Sequence, residues 1–182
     1  MRLIGTSLYT SVMSDAPRLF MVQAIEFFMM RGQVVRDVPG DGNCAIHSVA
    51  AAFAAWLGRP TMVQEIRPLL VTAWRYDARC QKELVRELKT EIAAGKLPES
   101  ATTDDLLAIF ARNGAFLPPI LVAIATFFYT SKSVHVYGLS DMGRKEDPVL
   151  LYDEDGPADY TILFCERQRH FCVVLDFPRQ MK

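Results

Sequence analysis

The chain has 182 residues, of which 51% are apolar and 23% are charged. This composition excludes an intrinsically disordered chain, and the length suits one domain with a full hydrophobic core. Lys and Arg total 20 and Asp and Glu total 21, which leaves a formal net charge of -1. We therefore expect a single domain over residues 1–182 and no nucleic-acid partner, since no basic surface is indicated.

Four cysteines are too few for a disulfide scaffold, and no two of them form a CxxC pair: Cys44, Cys80, Cys165 and Cys172. We expect reduced thiols in a cytosol-like compartment. The first 30 residues lack the pattern of a secretory signal, because their apolar run is interrupted by Gln23 and Glu26. The longest apolar run, residues 117–129, is shorter than the roughly 20 residues needed to cross a bilayer. It predicts a buried helix or strand and no membrane span.

The first clear pattern along the chain is a helical one. Residues 17–31 place apolar side chains on one side, which predicts an amphipathic helix that ends at Gly32. Residues 44–57 are rich in alanine and predict a second helix, which begins at Cys44 and takes Gly58 as its C-cap.

A longer helical region follows over residues 61–94, with Thr61 as its N-cap and Pro68 as a break or kink. Residues 104–112 predict a further short helix. We expect these helices to form an outer layer.

The pattern changes to strands late in the chain. Strands are predicted at residues 133–138, 149–152, 160–165 and 171–175. The last two flank four polar residues and predict a hairpin. Helices followed by strands favour an α+β fold, with a small, mostly antiparallel sheet packed on the helix that begins at Cys44.

Cys44 is the candidate nucleophile. A helix N-terminus carries unpaired amide donors and partial positive charge, which lowers a thiol pKa from its reference of about 8.5. Gly40 and Gly42, just before it, let the backbone turn tightly, so that amides of residues 41–44 can face a developing oxyanion. Nucleophilic catalysis by a thiol also needs a general acid, normally a histidine. By position alone, His47, His135 and His170 remain equal candidates.

A family resemblance covers roughly residues 34–175 and leaves residues 1–33 as an N-terminal helical extension. The run Gly40-Asp41-Gly42-Asn43-Cys44-Ala45-Ile46-His47-Ser48 resembles the nucleophile motif of the OTU (ovarian tumour) family of cysteine deubiquitinases. His170-Phe171 is similar to the family's His-aromatic signature. Gly114-Ala115-Phe116, an apolar helix and the strand Val134-His135-Val136-Tyr137 resemble the region between those two motifs.

The resemblance implies a papain-like OTU fold, with the sheet packed between helices. It implies Cys44 as nucleophile, His170 as base and then acid, and Asp41 as the motif acid. The loop of Asp41, with Gly42 and Asn43, would shape the oxyanion hole. In this family the position of His47 is variable, so we expect His47 to pack on its helix.

The sequence does not decide which residue orients the His170 ring. Many members have Asp or Asn two residues after the histidine, where this chain has Cys172, and a thiol is a weak hydrogen-bonding group. Residues 170, 172 and 174 share one face of a strand, so Cys172 would face the site. Some members supply the third residue upstream of the cysteine, which makes Asp37 and Asp15 candidates.

The implied function is hydrolysis of isopeptide bonds after the C-terminal glycine of ubiquitin or a ubiquitin-like modifier, by a monomer without a cofactor. The implied partners are that modifier and its conjugates, with residues 61–95 as a second contact surface. The implied location is the cytoplasm, that of the host if a virus or other pathogen encodes the chain. Two alternatives remain: an inactive ubiquitin-binding module, because of Cys172, and a viral protease that processes a polyprotein.

Cys165, His170 and Cys172 could instead be three zinc ligands presented by the hairpin. None of the usual paired cysteine spacings accompanies them, so we expect no metal site. The charge run at residues 153–155 is typical of a solvated turn.

Overall fold

The computed structural model describes residues 19–139, 147–153, 156–166 and 169–176. Six helices lie in these residues: α1 Leu19–Met29, α2 Cys44–Leu57, α3 Val63–Tyr76, α4 Ala78–Ala93, α5 Thr103–Phe110 and α6 Pro119–Thr130. They contain five strands: β1 Gln33–Asp37, β2 Val134–Leu139, β3 Val149–Tyr152, β4 Tyr160–Cys165 and β5 His170–Asp176. Among these elements, none of the helices combines the length and apolar character that a membrane span requires.

The strands form one sheet in the order β1-β5-β4-β2-β3. β2 pairs with β4 in parallel, and the other three pairings are antiparallel. Apolar residues of α2, α3 and α6 pack on one face of the sheet, and α1 packs on the other. The predicted α+β fold, a small and mostly antiparallel sheet between helices, is confirmed.

The side chains of β5 point alternately to the face of the sheet that α2 covers and to the face that α1 covers. Successive residues of a strand point to opposite faces. Phe171 therefore belongs to the core beneath α2, whereas Cys172 belongs to the cluster under α1. Both side chains are fully buried.

The sequence prediction missed β1. Its five residues, Gln33–Asp37, are too short for a clear alternating pattern, and they follow directly on α1. β1 is an edge strand that pairs with β5, so that Asp37 lies opposite Cys172. This pairing places Asp37, which precedes the loop of residues 38–43, beside β5, the last strand along the chain.

The break in the long helical region was predicted at the wrong place. α3 begins at Val63 rather than after an N-cap at Thr61, and it accommodates Pro68 within it. The chain breaks at Asp77 instead. The Asp77 carboxylate accepts hydrogen bonds from the backbone N–H groups of Arg79 (2.8 Å) and Cys80 (3.0 Å), which makes Asp77 the N-cap of α4.

The remaining boundaries lie close to the prediction. α2 begins at Cys44 and ends at Gly58, whose φ of 67° is the left-handed conformation of a glycine C-cap. The first predicted helix is described from Leu19 onwards. Its predicted start at Pro17, like Glu154 and Asp155 of the charge run, lies outside the described residues.

We expect Asp77→Ala to lower the free energy of unfolding by about 1 kcal/mol, because two amides at the start of α4 lose their acceptor. Urea denaturation measures the change. Asp104→Ala is the matched control, since Asp104 is an exposed first-turn residue of α5 that pairs with Arg75 at 3.5 Å and is not the N-cap. An equal loss in both variants would contradict the capping role.

Candidate active site

The loop before α2 is held by Asp41. One Asp41 oxygen accepts a hydrogen bond from the Asn43 N–H at 2.9 Å, and the other lies 3.0 Å from Nε2 of His47. The hydrogen bond with His47, together with the Asn43 N–H, holds the pKa of Asp41 below its usual value. Asp41 is half exposed, so it forms this pair at the surface. His47 therefore holds the loop through Asp41, whereas we expected it only to pack on its helix.

Gly42 is the loop residue whose backbone needs glycine. Its φ is 81°, in the left-handed region, whereas Gly40 does not adopt a positive φ. A Cβ atom on Gly42 would lie 2.8 Å from Cα of Gly114, so the two glycines are in direct contact. The loop can approach Gly114 this closely because Gly42 has no side chain, whereas a Cβ atom on Gly114 would meet no atom within 4 Å.

Cys44 is buried at the first position of α2, and its thiol donates to the carbonyl oxygen of Arg169 at 3.9 Å. Burial alone would raise the pKa of the Cys44 thiol. Hydrogen bonding with His170 and with the N–H groups of Phe171 and Ala45 outweighs burial, so this pKa lies below its usual value. The thiolate is therefore the favoured form of Cys44 at a lower pH than for a free cysteine.

His170 is the first residue of β5, and its Nε2 lies 2.6 Å from Oδ1 of Asp37, the last residue of β1. Because Nε2 faces the carboxylate, Nδ1 is the ring nitrogen left for the Cys44 thiol. The thiols of Cys172 and Cys44 and the Asp37 carboxylate raise the pKa of His170 to about 10, although burial acts in the opposite direction. The site thus favours a thiolate beside an imidazolium.

Two upstream residues were candidates for orienting His170. The structure brings Asp37 to the ring, whereas Asp15 lies outside the described residues. The Cys172 thiol donates to the same Asp37 oxygen at 3.8 Å. The Cys165 thiol and burial raise the pKa of Cys172 above its usual value, which keeps it a protonated donor.

Asp37, His170 and Cys172 also offer a carboxylate, an imidazole and a thiol whose ligand atoms lie within 4.8 Å of one another. This cluster differs from the zinc-ligand alternative that was weighed from the sequence, because Asp37 takes the place of Cys165. Tetrahedral zinc ligands at about 2.0 Å from the metal lie roughly 3.3 Å apart. The 2.6 Å between Nε2 and Oδ1 is shorter and has the geometry of a hydrogen bond.

A groove of about 220 Å³ opens above the Cys44 thiol. It is lined by Gly42, Cys44, Ala45, Gly114, Phe116, Leu117, Arg169 and Phe171. The Arg169 guanidinium lies 4.1 Å above the Phe116 ring and covers part of this apolar lining. The walls combine two glycines with aromatic rings, so the groove suits a narrow extended chain.

His135, the third histidine, is on β2, where its Nε2 lies 3.2 Å from the carbonyl oxygen of Gly156. It lies outside the set of residues that line the groove. Of the three histidines, His170 is the one that lies beside Cys44.

Arg67 of α3 is a residue that the sequence analysis did not single out. Its side chain is buried and donates to the side-chain oxygen of Asn43 at 2.8 Å. A signal was present, because Arg67 is four residues after Val63 and three before Leu70, and thus on the inward face of the helix. A charged residue at such a position requires buried partners.

The arrangement supports nucleophilic acyl transfer. It places a thiol of lowered pKa, an imidazole of raised pKa and a carboxylate in one hydrogen-bonded row, the order used by cysteine nucleophiles with a histidine base. The backbone of residues 42–44 lies beside the thiol, where N–H groups can stabilise an oxyanion.

The comparisons with known proteins gave matches among solved structures alone. No protein-family model matches the sequence, and no curated protein matches it. The OTU domain of OTUD1 is 16% identical with a TM-score of 0.54, covering 86% of this chain and 94% of that one. The OTU domain protease of Taggert virus is 16% identical with a TM-score of 0.55, covering 87% and 85%.

An OTU deubiquitinase from Wolbachia pipientis wMel, solved bound to ubiquitin, is 15% identical with a TM-score of 0.52. The match covers 80% of this chain and 97% of that one. Together these likenesses show that the chain has the OTU fold.

We expect iodoacetamide to label Cys44 before the other cysteines, and to do so below the usual pH range of thiol titration. The reason is the lowered pKa of Cys44, whereas burial raises the pKa of Cys80 to about 12. Peptide mass mapping across a pH series measures the order, and Cys80 is the internal control. In His170→Ala the labelling profile of Cys44 should move to higher pH. Labelling of Cys80 ahead of Cys44 would contradict the assignment.

Proposed function

We propose that the chain is a cysteine-dependent deubiquitinase, which hydrolyses isopeptide bonds after the C-terminal glycine of ubiquitin or a ubiquitin-like modifier. The observation that carries the proposal is the row of Cys44, His170 and Asp37 beside a groove walled by two glycines. The OTU fold, shared with a deubiquitinase solved in complex with ubiquitin, supports the substrate class.

Acylation begins with the Cys44 thiolate, which attacks the carbonyl carbon of the terminal glycine. The carbonyl oxygen becomes an oxyanion, and the backbone N–H groups of Gly42 and Cys44 stabilise it, since the Asn43 N–H is bonded to Asp41. Nδ1–H of His170 protonates the lysine amine as the C–N bond breaks. The amine leaves, and the glycine carbonyl remains joined to Cys44 as a thioester.

Deacylation uses the same groups in reverse. His170 is now neutral at Nδ1 and accepts a proton from water while the water oxygen attacks the thioester. The C–S bond breaks, the modifier leaves as a carboxylic acid that loses its proton to solvent, and the thiolate–imidazolium pair is restored.

Asp37 is the carboxylate that orients the base. It accepts Nε2–H of His170, which fixes the ring so that Nδ1 faces the thiol, and it favours the imidazolium. Asp41 acts at a different point, since it binds the Asn43 N–H and His47 rather than His170. We therefore assign Asp41 to the geometry of the oxyanion loop.

The walls of the groove account for glycine at the acyl end of the substrate. Gly42 and Gly114 both line the groove beside Cys44, and neither adds a side chain to its wall. The terminal glycines of ubiquitin suit such a passage because they have no side chains.

The inactive-module alternative depended on the missing acid after His170, and Asp37 supplies that carboxylate from β1. The three groups come from one chain, so we propose a monomeric enzyme. All four cysteines are free, and we place the activity in a reducing compartment such as the cytoplasm.

The direct experiment is incubation of the purified protein with ubiquitin that carries a thiol-reactive group at its C-terminus. We expect one adduct by intact mass, and no adduct in Cys44→Ala or His170→Ala, since each lacks an obligatory participant. Circular dichroism spectra serve as the control for folding. A folded wild-type protein that forms no adduct would contradict the proposal.

A second prediction separates the roles of the two other groups near the imidazole, the Asp37 carboxylate and the Cys172 thiol. We expect Asp37→Ala to lower kcat on a ubiquitin substrate roughly 100-fold or more, and Cys172→Ala to lower it less than roughly tenfold. Because Asp37 raises the pKa of His170, its removal should also move the alkaline limit of activity to lower pH. A pH series of kcat/KM measures both effects. An equal loss in Cys172→Ala would show that the thiol, rather than the carboxylate, orients the ring.

A further inference from the structure

Arg67 links three parts of the chain from beneath the groove. It lies on α3 with its side chain 5% exposed. One terminal nitrogen, Nη1, donates to the carbonyl oxygens of Phe110 (2.7 Å) and Ala115 (3.2 Å). The other, Nη2, donates to the side-chain oxygen of Asn43 (2.8 Å) and also to Ala115 (3.2 Å).

Two of these acceptors follow the glycines that face each other in the groove. Asn43 is the residue after Gly42, and Ala115 is the residue after Gly114. Gly42 and Gly114 are in backbone contact. The Arg67 guanidinium therefore forms hydrogen bonds with both loops next to their point of contact. It bonds Asn43 in the loop before α2 (the nucleophile loop) and Ala115 in the loop that contains Gly114 (the Gly114 loop).

Burying this cation has a cost. Its Nε is buried without a hydrogen-bond partner in the described part of the chain. A buried charge contributes little net stability, because desolvation offsets much of what its hydrogen bonds supply. A rigid, planar fork of donors does, however, fix the relative positions of two loops better than a flexible apolar side chain.

We propose that Arg67 is a positioning residue, which clamps the Gly42 and Gly114 loops together and so makes the groove selective for glycine at the acyl end. The clamp holds the nucleophile loop against the Gly114 loop, which keeps the oxyanion donors in place and the groove beside Cys44 narrow, so that an acyl residue without a side chain fits best. The selectivity rests on the proposed function, because it concerns substrates that end in glycine. The clamp itself is a property of the fold.

Three variants test the clamp. Arg67→Met removes the donors and keeps a long side chain. Arg67→Lys keeps the buried charge but lacks the fork that reaches both loops, and it serves as the test variant if Arg67→Met does not fold. Arg75→Met is the matched control, because Arg75 is an exposed cation on the same helix that bonds Asp104 of α5.

The kinetic test uses two ubiquitin substrates with an aminocoumarin leaving group, one ending in the natural glycine and one in alanine. We expect Arg67→Met to lower kcat on the glycine substrate about tenfold or more, since a small misplacement of the reacting groups is costly. The preference for glycine over alanine should fall by about tenfold as the groove widens. Arg67→Lys should fall between wild type and Arg67→Met. Arg75 lies on the expected contact surface, where a change affects KM, and Arg75→Met should keep the wild-type kcat and the wild-type preference for glycine. A lower kcat with an unchanged preference would overturn the assignment of selectivity to Arg67.

Hydrogen–deuterium exchange tests the clamp without any substrate. We expect faster exchange in Arg67→Met for peptides that cover residues 41–45 and 112–116, and unchanged exchange there in Arg75→Met. Unchanged exchange in both variants would overturn the clamp. If wild-type protein turned over neither ubiquitin substrate, the proposed function would fail, and the exchange data would still decide whether Arg67 holds the two loops.

Discussion

The pairing of β1 with β5 is the constraint on which the candidate site depends. β1 is short and lies at the edge of the sheet, yet its last residue brings a carboxylate to within 2.6 Å of the His170 ring. The ring in turn lies beside the Cys44 thiol, which α2 presents from the next layer. If the register of β1 shifted by one residue, Asp37 would point to the opposite face of the sheet and His170 would lose its acceptor.

The same sheet separates thiols that have very different chemistry. Cys44 lies at a helix N-terminus beside an imidazole, and its pKa is lowered. Cys172, two residues after that imidazole, is fully buried under α1, and its pKa is raised. Burial acts on both thiols, so their hydrogen-bond partners decide which pKa is lowered and which is raised. Cys172 then serves the site as a protonated donor to Asp37.

Local features of the site could be predicted from the sequence, and features created by packing could not. Cys44 at the start of α2 and the β4–β5 hairpin follow from neighbouring residues, and the structure has both. The choice between Asp37 and Asp15 depended on a strand pairing 133 residues apart. Arg67 was overlooked because its helix carries several charges. Its spacing from the apolar residues of α3 indicates an inward position, but its hydrogen bond to Asn43 follows only from the packing of α3 against the loop before α2.

Because Asp37 and His170 are far apart along the chain, we expect their contact to form after the local contacts of α2. Closing a loop of 133 residues carries an entropy cost that contacts within α2 and its preceding loop do not have. Contacts between residues so far apart form slowly, and β5 follows the other elements during synthesis. Until β5 docks between β1 and β4, Cys44 has neither its imidazole nor the N–H of Phe171 and remains an ordinary thiol. The lowered pKa of the Cys44 thiol thus depends on the completed sheet, because β5 supplies two of the groups that cause it.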